Sequence, residues 1–114
     1  MITYIEASDE SYQIVYTVNS LCAYEDRFKE DIAMAISSPS VSRLRGMLWA
    51  GLIDKQPNLT LENTGKIIDD YLGDADRQLS DIANVCVKAL TNSGFFKKAG
   101  NEKNPAERQK KAKA

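Results

Sequence analysis

Leu79, Ile82, Ala83, Cys86, Ala89 and Leu90 recur at three- and four-residue intervals, so on a helix they line one face and leave polar side chains on the other. No strand can present this set on one side, because successive strand residues point to opposite faces. A stripe of this kind must be buried against other elements, and the rest of the chain supplies them.

Val41, Leu44, Leu48 and Leu52 form a second stripe, with Met47 and Trp49 beside it. Ile67, Ile68, Tyr71 and Leu72 form a third, and Leu21, Tyr24 and Phe28 repeat at i, i+3 and i+7 in a fourth. Asp31 to Ile36 is a short fifth helical stretch that ends at Ser37-Ser38-Pro39. The punctuation agrees. Asn19 or Ser20 can cap the first helix, and Ser38 with Pro39 at the first helical position starts the third, where proline's missing N–H costs nothing. Thr60 caps the fourth, with Glu62 placed against the positive end of its dipole. Gly73 stops that helix as a C′ glycine, Asp74 or Asp76 begins the last one, and Asn92-Ser93-Gly94 ends it. Gly46 and Gly51 weaken the third helix; each either lets another backbone approach closely or marks irregularity near the helix end.

Ahead of the helices, residues 2–6 and 12–18 are rich in β-formers, and the second run alternates Tyr12, Ile14 and Tyr16 with Gln13, Val15 and Thr17. Ala7-Ser8-Asp9-Glu10-Ser11 supplies turn residues between them, which predicts a β-hairpin. Two strands alone are marginal in water, so the hairpin must lie on the helices or pair with another chain through its edge; that edge is a candidate for homo-oligomer formation. The expected fold is mostly α, of α+β class: an N-terminal β-hairpin followed by a bundle of four to five helices, with a disordered basic tail. The domain spans residues 1–96 and the tail residues 97–114.

Charge divides at the same boundary. Residues 1–96 hold 8 basic and 14 acidic side chains, whereas Lys97, Lys98, Lys103, Arg108, Lys110, Lys111 and Lys113 face only Glu102 and Glu107 in the tail. The formal net charge of −1 conceals a body at −6 and a tail at +5. A tail without aromatic or branched aliphatic residues has nothing to pack with. It is read as a solvated segment, with contact to RNA, DNA or an acidic protein surface, its own body included, as the other readings.

Absences narrow the chemistry. The chain has no histidine, which removes Ser-His-Asp and Cys-His nucleophile pairs, imidazole bases and Cys/His zinc fingers. Glu25-Asp26, Glu30-Asp31 and Asp69-Asp70 are adjacent pairs, which on a helix point about 100° apart and read as solvated faces. Neither G-x-x-x-x-G-K-[ST] nor G-x-G-x-x-G occurs, and no loop carries an EF-hand pattern. No catalytic, metal or cofactor residues are therefore nominated, and the chain is not expected to be an enzyme. Cys22 and Cys86 show no C-x-x-C pairing and read as two small buried hydrophobes in a reducing compartment. The N-terminus lacks the basic start and apolar run of a signal peptide, and no run of 18 apolar residues exists, so a cytoplasmic protein without membrane contact is expected. Arg43 and Arg45 can reach a nucleic-acid backbone, but the acidic body favours pairing of both with its surplus carboxylates, so nucleic acid is not an expected partner of the body. Phe95 and Phe96 read either as a C-terminal latch folded onto the helices or as an exposed partner anchor.

The segment Leu44-Arg-Gly-Met-Leu-Trp-Ala-Gly-Leu52, followed by Pro57-Asn-Leu-Thr-Leu-Glu-Asn-Thr-Gly-Lys-Ile-Ile-Asp69, resembles the small tail assembly chaperones of long-tailed (siphovirus-like) bacteriophages and phage-like elements. Members of that family carry a helix of the form L-R-x-x-L-W-A-G-L, then a loop and a helix of the form L-T-x-E-x-x-G-x-x-I-D. The likeness extends over about residues 2–96, through the hairpin, the acidic residue near Tyr24-Glu25 and the final Ser-Gly-Phe-Phe at 93–96. Asn63-Thr64 departs from the bulkier or acidic residues common at that place. The resemblance implies a non-catalytic chaperone that binds the helix-rich tape measure protein, keeps it soluble, helps recruit tail tube subunits and leaves before the tail is complete. It would act in the bacterial host cytoplasm and be missing from the mature virion. It also implies a longer form made by ribosomal frameshifting, for which Gln109-Lys110-Lys111 can be encoded by an adenine-rich run.

A groove that masks apolar stripes of a partner helix needs no cofactor. The residues nominated for it are Leu48, Trp49, Leu52, Phe95 and Phe96, with plain core packing as the alternative for each. The competing reading is a small nucleic-acid-associated regulator that works through its basic tail.

Overall fold

The computed structural model describes residues 3–7, 9–74 and 76–95. Phe96 and the basic tail lie outside the described residues.

Strands β1 (Thr3–Ala7) and β2 (Glu10–Ile14) pair antiparallel, from Ala7↔Glu10 at the turn to Thr3↔Ile14 at the open end. The connection is two residues long, and Asp9 takes the left-handed conformation there (φ 64°), which the short polar side chains of Asp and Asn tolerate best after glycine. Thr3, Ile5 and Ala7 point into the core while Tyr4 and Glu6 face out. The Tyr12, Ile14, Tyr16 alternation does face inward, but strand pairing stops at Ile14 and not at Val18. Beyond Ile14 the chain leaves its hairpin partner: the Val15 N–H donates to the Gly51 carbonyl at 2.8 Å.

Five helices follow: α1 (Val18–Phe28), α2 (Ile32–Ser37), α3 (Val41–Leu52), α4 (Leu61–Leu72) and α5 (Leu79–Asn92). The caps correct several expected starts. Thr17 caps α1 in a reciprocal box, its Oγ1 accepting from the Ser20 N–H at 3.1 Å while its own N–H donates to Ser20 Oγ at 2.8 Å, so Ser20 sits inside the first turn. Ser40 caps α3 through the Arg43 N–H, whereas Ser38 ends α2. Pro39 therefore precedes the helix and does not open it. Thr60 caps α4 as expected, accepting from Asn63 N–H at 3.0 Å. The last helix starts at Leu79, where the Gln78 N–H donates to Asp81 Oδ2, later than Asp74 or Asp76 would place it.

Helix ends differ too. Gly73 keeps a right-handed φ of −64°, so its lack of a Cβ is not what stops α4. Gly94 is the left-handed stop, at φ 88°. There the Phe95 N–H reaches back to the Leu90 carbonyl (3.1 Å) and the Gly94 N–H to Thr91 (3.0 Å), the paired bonds of a left-handed helix termination. This geometry returns Phe95 to the core, against which it packs partly buried.

Helix α3 is the hub, touching α1, α2, α4, α5 and β2. Tyr24, Met47, Leu48, Leu52, Ile82, Cys86 and Leu90 are fully enclosed around it. Gly46 and Gly51 are both close approaches. A methyl group on Gly46 would lie 2.6 Å from the Phe28 ring, and one on Gly51 would lie 2.7 Å from Ile14 Cγ2 and 2.9 Å from the Tyr16 ring. Tyr16, seated there, donates its hydroxyl to the Met47 carbonyl at 2.6 Å. Cys86 is buried as expected, but Cys22 is exposed. It stands two residues from both Ser20 and Tyr24, the buried positions of α1, and so lies about 200° round the helix from each.

Candidate partner-binding surface

The nominated residues separate. Leu48 and Leu52 are wholly buried and belong to the core, because α3 is covered by α1, α2, α4, α5 and β2. They are corrected from surface to core. Trp49 and Phe95 remain partly exposed, each packed against the core by one side, and Phe96 lies outside the described residues. Trp49 and Phe95 are the two nominated residues that a partner can reach in the described part.

Trp49 is held by two neighbours. Its indole N–H donates to the Leu59 carbonyl at 3.0 Å, and its ring stands edge-on to Phe28 at 6.3 Å with an interplanar angle of 76°. Phe28 in turn lies 4.7 Å from Tyr24. With its one polar atom engaged, the exposed part of the indole offers only ring. Arg45 stands four residues earlier on the same face of α3. Its stem runs over Gly65 of α4, where an added methyl would be in ordinary contact with Arg45 Cδ at 3.5 Å. Helix α3 is thus joined to the loop before α4 through Trp49 and Leu59, and to α4 itself through Arg45 and Gly65.

The two arginines of α3 have different fates. Arg43 closes a three-residue network with Glu30, its Nε and Nη2 each 3.1 Å from a Glu30 oxygen, while Nη1 donates to the Ser38 carbonyl at 2.8 Å. Tyr24 adds its hydroxyl to Glu30 at 2.9 Å. These donors hold the Glu30 carboxyl below the ordinary range, the Arg43 bonds most of all, while burial and then the Glu30 carboxylate push the Tyr24 phenol well up. Glu30 is therefore tied into a network, whereas Asp31 is exposed, as expected, and caps α2. Arg45, in contrast, has no carboxylate within ion-pair distance among the described residues, and its enclosed Nε has no hydrogen-bond partner. The expected pairing fails for Arg45.

Two concavities complete the surface. A groove of about 370 Å³ between the starts of α3 and α5 is lined by Pro39, Val41, Leu44, Leu79 and Ala83. Val41, expected in the buried stripe, is 65% exposed at its rim. The signal for it was available: α3 and α5 both begin on an apolar residue directly after the cap, at Val41 and Leu79. On the other side, a cleft of about 580 Å³ gathers Glu6, Asp9, Glu10, Asp70 and Asp74 around Arg77. Arg77 donates to the Glu6 carbonyl at 2.7 Å, lies 3.6 Å from Asp74 and stacks 4.5 Å over the Tyr71 ring, stapling the α4–α5 link to β1. Among the described residues no helix is long and apolar enough to cross a membrane.

No family model matches the chain, and neither a curated protein nor a solved structure matches it.

Proposed function

We propose that this chain is a non-catalytic tail assembly chaperone of a long-tailed bacteriophage or phage-like element. It binds the tape measure protein in the bacterial host cytoplasm, keeps it soluble and helps recruit tail tube subunits during tail formation. One observation carries the reading: the two segments that bear the resemblance, 44–52 and 57–69, are knit into one unit by the Trp49–Leu59 bond and the Arg45–Gly65 contact. The spacing of the two segments thus has a physical role in building one face of the molecule. Beside that face lies the apolar groove at Val41, Leu44 and Leu79, of a kind that accepts one stripe of an amphipathic helix. Self-association through the hairpin edge belongs to the same reading, since β1 and β2 have only each other as strand partners among the described residues.

The test is co-expression with a candidate tape measure protein, the product of a very long helical reading frame sought downstream of this gene. The expected result is that the long protein moves into the soluble fraction and co-purifies with the chain. If it stays insoluble at matched expression, the chaperone reading fails. The basic tail favours one alternative, nucleic-acid association. Deleting residues 97–114 separates them: tape measure binding by the body survives the deletion, whereas salt-sensitive binding to nucleic acid is lost with the tail.

A further inference from the structure

Arg45 is placed in a way that the fold alone does not explain. Its Nε is enclosed by the protein and has no acceptor, although a buried polar atom without a partner is costly and uncommon. The other half-buried arginines of the body are engaged, Arg43 by Glu30 and Arg77 by Asp74 and the Glu6 carbonyl. The body carries 14 acidic side chains against 8 basic ones, yet none of the described carboxylates reaches Arg45. One turn further along α3, Trp49 presents ring surface with its N–H already used by Leu59. Arginine and tryptophan are the side chains most enriched where binding energy concentrates, and here they are one turn apart and partly exposed, Arg45 against Gly65 of α4 and Trp49 bonded to Leu59 in the loop before it.

We infer that Arg45 and Trp49 form an anchor point for an amphipathic helix of the partner that carries a carboxylate about one turn from a large apolar side chain. The guanidinium takes the carboxylate through its outer nitrogens, and the apolar side chain lies on the exposed part of the Trp49 ring. Charge decides the chemistry of the occupant. A single carboxylate flanked by apolar residues suits a half-buried arginine without an ion pair among the described residues, whereas a polyphosphate brings many charges that the surplus carboxylates of the body repel. This inference rests on the proposed function, in that the tape measure protein is the partner that supplies the helix.

The experiment measures binding of the tape measure protein to the full chain and to its Arg45→Gln and Arg45→Lys variants, with thermal unfolding of each alone. Arg45→Gln removes no hydrogen bond of the described fold, so its unfolding midpoint stays at the wild-type value. Its affinity is expected to fall about tenfold to a hundredfold, as for loss of a charge-assisted pair. Arg45→Lys keeps the stem over Gly65 and the charge but loses the planar fork, and is expected to bind between the two; it carries the test if the glutamine variant unfolds. Replacing the partner's Asp and Glu residues in turn by Asn and Gln must uncover one whose effect is not additive with Arg45→Gln. Folded variants that bind like wild type overturn the inference, as does a scan in which no carboxylate couples. Failure of the wild-type chain to bind at all overturns the proposed function and this inference with it. Arg45-dependent binding of a fluorescein-labelled single-stranded oligonucleotide in place of the partner overturns the carboxylate assignment.

Discussion

Gly51→Ala, in the last turn of α3, and Gly65→Ala, inside α4, are the same substitution, and the packing around them predicts opposite signs. Alanine is favoured over glycine in a helix by about 0.5–1 kcal/mol, so both variants start with that gain. At Gly65 an added methyl meets only Arg45 Cδ at 3.5 Å, an ordinary contact, and the gain survives. At Gly51 it meets Ile14 Cγ2 at 2.7 Å and Tyr16 Cζ and Oη at 2.9 Å, distances that demand movement of nearly an ångström by side chains that are themselves buried. Overpacking of this kind costs about 1–3 kcal/mol. Tyr16 cannot withdraw freely, because its hydroxyl is bonded to the Met47 carbonyl at 2.6 Å, and leaving that hydroxyl unpaired costs about 1–3 kcal/mol more. The net expectation is a loss of about 2–3 kcal/mol for Gly51→Ala and a gain of about 0.5 kcal/mol for Gly65→Ala. In a domain of this size that lowers the midpoint by about 10–20 °C in the first case and raises it by a few degrees in the second. Urea unfolding followed by circular dichroism gives both values. A Gly51→Ala protein as stable as wild type would refute the close-approach account of α3.

Three further outcomes follow from single sites. Glu30 has its carboxyl held below the ordinary value by Arg43 and Tyr24, so its contribution to stability is present above the unfolded carboxylate range and disappears as pH falls through the folded value. The stability gap between wild type and Glu30→Gln, read from urea midpoints, should therefore be constant near neutrality and close below about pH 4; a gap that widens in acid contradicts the network. A thiol-reactive dye at pH 8 should modify one cysteine per folded chain, Cys22, because Cys86 is buried and its thiol is pushed up to about 12; equal rates at both positions would contradict the burial of Cys86. Leu48→Ala should cost about 2–5 kcal/mol and Val41→Ser less than about 0.5 kcal/mol, so that only the serine variant tests the groove in a folded protein; comparable losses from the two would put Val41 in the core.

Much of this arrangement could be read from residue spacing. The α5 stripe and the inward set Tyr12, Ile14 and Tyr16 were visible because helical and strand periods leave different signatures, and burial follows them. Cap positions were harder. Ser38, Ser40, Thr17 and Ser20 are all competent caps, and which one serves depends on where the preceding segment ends, a tertiary matter. Leu48 and Leu52 were nominated for a surface because a stripe reads the same whether it meets its own chain or another. Cys22 is exposed against expectation because the buried line of α1 runs through Ser20 and Tyr24. The missing counter-ion of Arg45 could not be read at all, since composition shows a surplus of carboxylates and only geometry shows that none arrives.

The turn of α3 from Met47 to Gly51 joins three parts of the chain: Met47 receives Tyr16, Gly51 receives Val15, and Trp49 holds Leu59. Because Trp49 is the sole tryptophan of the sequence, its emission reports on that junction without labelling. A strand added at the hairpin edge and a helix laid against Trp49 would both bear on this turn, and occupation of one site would be expected to alter the optical signal and the amide exchange of the other. Under the proposed function the junction would make self-association and partner capture linked equilibria, coupled through a single shared turn of helix.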